Sequence, residues 1–421
     1  CTANVAVDTK MLTMEIMKKV AQKHHLACLL HEKPFEGING SGKHNNWSMS
    51  TDDVFNLLNP GDRPEENTLF KRVLAAVIKA VDDYQGILRA SVASAGNDHR
   101  LGANEAPPAI ISVYLGDQLG ALVDCIVKGV DYVPVKVEKG SIGVPESPIF
   151  PKDATDRNRT SPFAFTGNKF EFRMVGSQAN VSDANIVINT IVADAFSQFA
   201  DELEKASDKQ KAAEKIIARE LKAHYRIIFN EDGYGPDWEH EAARRGLLNA
   251  KNTADAVPVC FEEKNIEVFV RQGVYTRAEA IARADIQLEN YSKIINIEAL
   301  TMLEMVRRDI IPAVSDFVAN MCTNVAAKQS VCEELPCTGE KEIITTLAGL
   351  NDKTCSLTGK LEGELKKIDL AKVGDASQAM AHKVVPLMEQ IRECVDKMET
   401  LTSSEYWPYP TYYDLLYSVN N

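Results

Sequence analysis

Apolar and polar positions alternate with two different periods along this chain. Over residues 9–24, Leu12, Ile16, Met17 and Val20 recur at helical spacing, with Asp8 placed as a cap. Residues 26–30 form a short apolar run that reads as a strand. A second helical stripe, Leu69, Phe70, Val73, Val77 and Val81, runs through 65–95. Residues 109–115 read as a buried strand and 117–128 as a helix, and 133–168 are rich in Pro, Gly and Ser, as in long loops with short strands. Residues 169–174 alternate with period two. From about residue 183 the helical period dominates, over 183–224, 276–321, 340–372 and 376–403. Pro312 is expected to break or kink the second of these. The aromatic C-terminus, around Tyr406-Trp407, reads as a packed terminal segment, with a docking tail as the alternative. The pattern predicts an α+β front half and a helical back half.

Composition narrows the function. The chain has 421 residues, 45% hydrophobic and 25% charged, enough for a large core and more than one domain. With 47 Lys and Arg against 60 Asp and Glu, its formal charge of −13 argues against general nucleic-acid binding or a basic membrane surface. No apolar run in the sequence approaches membrane-span length, and no signal peptide is visible. Nine scattered cysteines, odd in number and without a CxxC, indicate a reducing, cytoplasmic compartment rather than a disulfide scaffold.

The densest chemistry lies between Lys33 and Ser50. Gly37-Ile-Asn-Gly-Ser-Gly-Lys43 fits the glycine-rich phosphate loop G-x-x-x-x-G-K, but His44 stands where that loop needs Ser or Thr to coordinate Mg²⁺. The segment that follows, His-Asn-Asn-Trp-Ser, also makes a poor first helical turn. A flexible surface turn is the plain alternative. Further on, Arg100 and Glu105 precede Pro107 and Pro108, as in a rigidly anchored flap or a solvated loop. Arg157 and Arg159 come next. In the strand at 169–174, Lys169, Glu171 and Arg173 share one face and Phe170 and Phe172 the other. The phenylalanines must face a core. The charged face is either simply solvated or lines a wet cavity holding a metal and carboxylate or phosphate groups.

Taken together and in order, Lys33-Pro34, Asn39 to Ser48, Arg100 to Pro107, Arg157-Asn-Arg159 and Lys169 to Arg173 resemble the catalytic domain of glutamine synthetases, most closely the large type III class. Segments 230–256 and 275–313 also look like that class, so the resemblance spans roughly 10–320.

The resemblance implies an antiparallel sheet or open barrel with packed helices over 1–225, the C-terminal portion of the catalytic domain, and a helical region over 226–421. It implies His44 and Glu171 as ligands of Mg²⁺ or Mn²⁺, and Asn39, Gly40, Arg100 and Arg173 around L-glutamate. Asn46, Ser48 and Lys169 would contact ATP. Glu105 would sit on a flap over the acyl phosphate, and Arg159 would stabilise the transferred phosphoryl group. The implied reaction joins ammonia to glutamate through a γ-glutamyl phosphate, with ATP as substrate. The implied assembly is a dodecamer of two stacked hexameric rings.

Asn46 and Lys169 depart from patterns of other classes, where a histidine and an arginine stand. The family's remaining metal carboxylates belong to segments upstream of Cys1, so the chain is expected to be incomplete as an active site. A non-catalytic assembly or regulatory relative is the competing expectation, but His44, Arg100, Glu105, Arg159, Glu171 and Arg173 are all retained.

Overall fold

A computed structural model describes every residue except 36, 54, 104–105, 134–138, 141–149, 152–160, 412–413 and 416–421. The chain divides into two compact units, Cys1–Gln22 with Ala27–Ala284, and Lys23–Leu26 with Asp285–Asn421.

The first unit opens with α1 (Ala3–Lys23), which starts earlier than the apolar stripe predicts and has no fully buried residue. The run at 26–30 is not a strand. Leu26 and Leu29 are exposed and pair with no ladder, because an apolar run needs a neighbouring strand to become one. β1 (Gly42–Trp47) follows the glycine loop. The predicted helix at 65–95 divides at Tyr84 into α2 (Thr68–Asp83) and α3 (Gln85–Ala90). α2 is capped by the Asn67 side chain, which accepts from the Phe70 N–H at 3.0 Å. Then come α4 (Ala95–Arg100), β2 (Val113–Tyr114), α5 (Gly116–Lys128) and a small ladder of β3 (Lys139–Gly140) with β4 (Phe150–Pro151). β5 (Phe163–Phe165) and β6 (Phe170–Gly176) form a hairpin, whose second strand is the one expected from the alternation at 169–174. Long helices α6 (Ser182–Lys205) and α7 (Lys209–Ala223) separate at Ala206, where Asp208 caps the second. Short helices α8 (Pro236–Arg244), α9 (Thr253–Ala256) and α10 (Glu263–Arg271) lead into α11 (Arg277–Met305), which continues into the second unit.

The main sheet has the order β1-β6-β5-β2. β1 and β5 pair antiparallel to β6, as expected, while β2 joins β5 in parallel. The apolar face of β5 and β6 is phenylalanine-rich. Phe163 stacks on Phe170 at 4.7 Å and meets Phe172 edge-on at 5.9 Å, and Phe165 reaches Phe70 of α2 at 5.9 Å. Those rings join the sheet to the α2/α6/α7 layer in one core. The α+β expectation for the front half therefore holds, with helices behind the sheet.

In the second unit α11 passes through a π turn (Val306–Ile310) into α12 (Ile311–Val331). Pro312 thus ends no helix. The wider turn just before it accommodates the proline ring and its missing N–H donor. The same device recurs after α13 (Thr338–Leu365) and α14 (Val373–Ala379), where a π turn (Met380–Val384) precedes Pro386 at the start of α15 (Val385–Leu401). α13 packs on α12 and α15. Because the helix continues through Pro312, Arg277–Val331 forms a 55-residue span whose apolar window would suffice, by length and composition alone, to cross a membrane. The sequence reading, which counted uninterrupted apolar runs, did not foresee that window. Tyr406 packs against Phe317 at 5.3 Å, and the Tyr409 hydroxyl donates to Asp309 at 2.6 Å, which anchors these two residues of the aromatic tail, while Leu415 beyond them is exposed.

Candidate active site

Of the predicted residues, His44 and Asn46 lie on β1 and Glu171 and Arg173 on β6. Sequence patterning reads 42–47 as loop, yet it is an edge strand in which Gly42, His44 and Asn46 face water and Lys43, Asn45 and Trp47 face inward. Poor strand formers hold this shape because their inner side chains are tied down. Asn45 donates to Asn185 at 3.0 Å and the Trp47 indole to Asn189 at 2.9 Å, both on α6.

The register brings Asn46 opposite Glu171 and Asn45 opposite Phe172. Between Lys43 and Asn45 the ladder shifts, so that Arg173 and Met174 together oppose His44. His44 Nδ1 lies 3.6 Å from Glu171 Oε1, with side-chain exposures of 52% and 19%. An imidazole and a carboxylate with water access are a donor pair that suits a divalent cation. Among the described residues no group of three or more His, Cys, Asp or Glu comes together, so this pair supplies two donors. Mg²⁺ takes about six oxygen or nitrogen ligands, and the rest would come from water, phosphate oxygens or other protein groups.

Arg100 and Arg173 also meet here, but as buried cations. Arg100 is 6% exposed, and its guanidinium donates to Asn97 Oδ1 at 3.2 Å and to the Arg173 carbonyl at 3.2 Å. Burial lowers its pKa, opposed by Tyr234 and Glu32. Arg173, 4% exposed, donates through Nη2 to the Ser161 carbonyl at 2.6 Å. Asn39 is exposed and Gly40 half-buried on the loop before β1, and Ser48 is exposed just beyond β1. Lys169 closes the β5–β6 turn, its carbonyl accepting from the Thr166 N–H at 2.8 Å. Glu105, Arg157 and Arg159 lie outside the described residues.

Lys43 turns away from this face. Its ammonium donates to the carbonyls of Ser177, at 2.7 Å, and of Ala179. Burial, with Lys10 nearby, pulls its pKa down to about 8, and Glu32 opposes that shift. A phosphate loop needs its lysine on the ligand side and a helix after it. Here the lysine is internal and a strand follows, which removes the nucleotide-loop alternative. Sequence reasoning missed two buried polar residues beside the site, Glu32 and Asn97. Asn97, fully buried, donates to the carbonyls of Val92 at 2.7 Å and Met174 at 2.8 Å and so ties α4 to β6. Its position ahead of Arg100 in α4 is the one signal that could have flagged it.

The mixed sheet thus carries a His–Glu pair on its wet edge, with two buried arginines beneath. Residues 1–112 match the family described as glutamine synthetase, catalytic domain, and residues 212–329 match the glutamine synthetase C-terminal domain. The chain belongs to the glutamine synthetase family. Over 99% of its length it is 43% identical to a glutamine synthetase of Butyrivibrio fibrisolvens and 41% identical to a type-3 glutamine synthetase of Dictyostelium discoideum. A glutamine synthetase of Bacteroides fragilis (strain YCH46) is 37% identical over the same share. The chain spans 60%, 58% and 59% of these curated relatives, respectively.

Proposed function

We propose that this chain forms part of the active site of an enzyme that joins ammonia to L-glutamate at the expense of ATP, through a γ-glutamyl phosphate. The observation that carries the reading is the His44–Glu171 pair across β1 and β6, 3.6 Å apart on the wet face beside Asn46. The names of the relatives support the reaction class. In this reading His44 and Glu171 hold a Mg²⁺ or Mn²⁺ ion, which when bound would draw together phosphate oxygens and offset charge during phosphoryl transfer. Asn39 and Gly40 contact glutamate, and Arg100 and Arg173 set a positive field under its carboxylates. Asn46, Ser48 and Lys169 face the nucleotide. Glu105 covers the acyl phosphate against water, and Arg159 faces the phosphoryl group in transit. The same proposal places the protein in the cytoplasm as a homo-oligomer, a dodecamer of two hexameric rings. Nine free thiols support the compartment, and the exposed apolar residues Ile286, Ile294, Ile297 and Leu300 of α11 support a self-associating face.

The test is glutamine formation from glutamate, ammonia and ATP by the purified full-length protein that contains this chain, with ADP release followed in parallel. His44→Ala and Glu171→Gln each reduce kcat/KM by at least about 100-fold and raise the metal concentration needed for half-maximal rate. Absence of glutamine formation by the parent, or full activity in both variants, refutes the proposal.

A further inference from the structure

Glu32 is a carboxylate with only 3% exposure, in a sequence context, His-Glu-Lys-Pro, that gives no reason to bury it. Its surroundings are built from glycine. A Cβ on Gly96 of α4 would lie 2.6 Å from Glu32 Oε2, and one on Gly176 of β6 would lie 2.9 Å from its Cγ and closer to Oε1. A Cβ on Gly40 would lie 2.6 Å from the Glu32 carbonyl oxygen and 3.0 Å from Arg100 Cγ. One on Gly42 would lie 2.7 Å from Arg100 Nε and overlap the guanidinium. Gly42 and Gly176 are cross-strand partners, the first exposed and the second buried, so this bare patch ends the ladder that carries His44 and Glu171. Two hydrogen bonds fix the residue. Glu32 Oε1 accepts from the Gln178 N–H at 3.0 Å, and its carbonyl accepts from the Ser41 N–H at 2.8 Å. The second bond closes the glycine loop onto its own start.

We propose that Glu32 is a positioning residue that clasps the Lys33–Ser41 loop, and with it Asn39 and Gly40, to α4 and to the exit of β6. It touches no reacting atom. It fixes the distance between the loop that would contact the amino-acid substrate and the strand that carries Glu171 and Arg173. Its negative charge also faces two buried cations, Arg100 and Lys43. The substrate part of this inference rests on the glutamine synthetase reading, whereas the clasp itself does not.

The experiment compares the parent protein with Glu32→Gln, which removes the charge at constant shape, and Gly96→Ala, which places a methyl where the carboxylate sits. Hydrogen exchange is read at the Ser41 amide and through 33–41, alongside glutamine-forming kinetics and Tm. In both variants exchange over 33–41 accelerates at least about tenfold while α2 and α6 stay protected. The KM for glutamate rises about tenfold with kcat changed less than threefold, because ground-state positioning is what is lost. Unchanged loop exchange in both variants overturns the clasp. So does a uniform gain in exchange with a matching fall in Tm, the mark of a merely structural residue. If the parent forms no glutamine, the exchange result still decides the clasp, and only the substrate reading fails.

Discussion

Gly42→Ala tests the geometry of the site most sharply. In a strand, alanine replaces glycine with a gain of about 0.5–1 kcal/mol, because the unfolded chain loses freedom. Here the added methyl overlaps the Arg100 guanidinium, which must swing out. Its two shorter bonds are then broken, to Asn97 Oδ1 at 3.2 Å and to the Arg173 carbonyl at 3.2 Å, along with a marginal one to the Met174 carbonyl at 3.5 Å. Hydrogen bonds from a charged donor contribute about 1.5–3 kcal/mol each, so the loss is roughly 3–6 kcal/mol and the net destabilisation roughly 2–5 kcal/mol. Without the Arg100 side chain the three closest contacts of that methyl are gone. Gly42→Ala in an Arg100→Ala background therefore stabilises by about 0.5 kcal/mol, and the sign of the effect reverses. Urea denaturation of the four proteins in the cycle, at constant m, gives the coupling directly. Additive costs within about 0.5 kcal/mol would refute the placement of Arg100 over Gly42.

Other outcomes follow from buried groups. Burial pushes the Asp98 carboxyl up to about 6, against the pull of Arg89 and the Thr253 N–H. The folded state thus holds a proton that the unfolded chain has released between roughly pH 4 and 6, so stability falls by on the order of 2–3 kcal/mol as pH rises through that window. Asp98→Asn flattens this slope in denaturation midpoints taken from pH 4 to 7. Lys43 carries the opposite sign. With its folded pKa near 8 and its unfolded value near 10.5, the unfolded chain binds the extra proton between them, and stability rises with pH there. Lys43→Met abolishes that rise and leaves the KM for nucleotide within about twofold, an outcome that a phosphate-loop lysine would not allow. Trp47→Phe removes the indole bond to Asn189 and costs about 1–2 kcal/mol, measured by urea unfolding, with no change in metal dependence.

How far the sequence foretold this depends on what kind of signal each element carries. β6 was readable because phenylalanine alternates with charge and one face must be buried. β1 was not readable, since Gly-Lys-His-Asn-Asn-Trp has little strand propensity and is held by partners about 140 residues away on α6. His44 and Glu171 were legible through the resemblance, and only the register shows that Asn46 lies directly across from Glu171. The arginines were legible as charges but not as buried ones. Asn97 and the backbone carbonyls of β6 absorb the Arg100 guanidinium, a tertiary fact with no local pattern. Glu32 left no trace either, because the glycines that make room for it come from three separate segments.

The extra residue of β6 opposite His44 has a consequence for counting along the two strands. From Asn45 to Gly42, β1 advances three positions while β6 advances four, from Phe172 to Gly176. Pair the same residues without that extra step and the tally slips. Val175 then lands across from Gly42, and an isopropyl group occupies the space of the Glu32 carboxylate. Glu171, on the near side of the step, keeps its place beside His44. A regular register would thus spare the His44–Glu171 pair and still close the hollow beneath the glycine loop. The irregular step in the strand is what lets a glycine, and not a valine, reach that place.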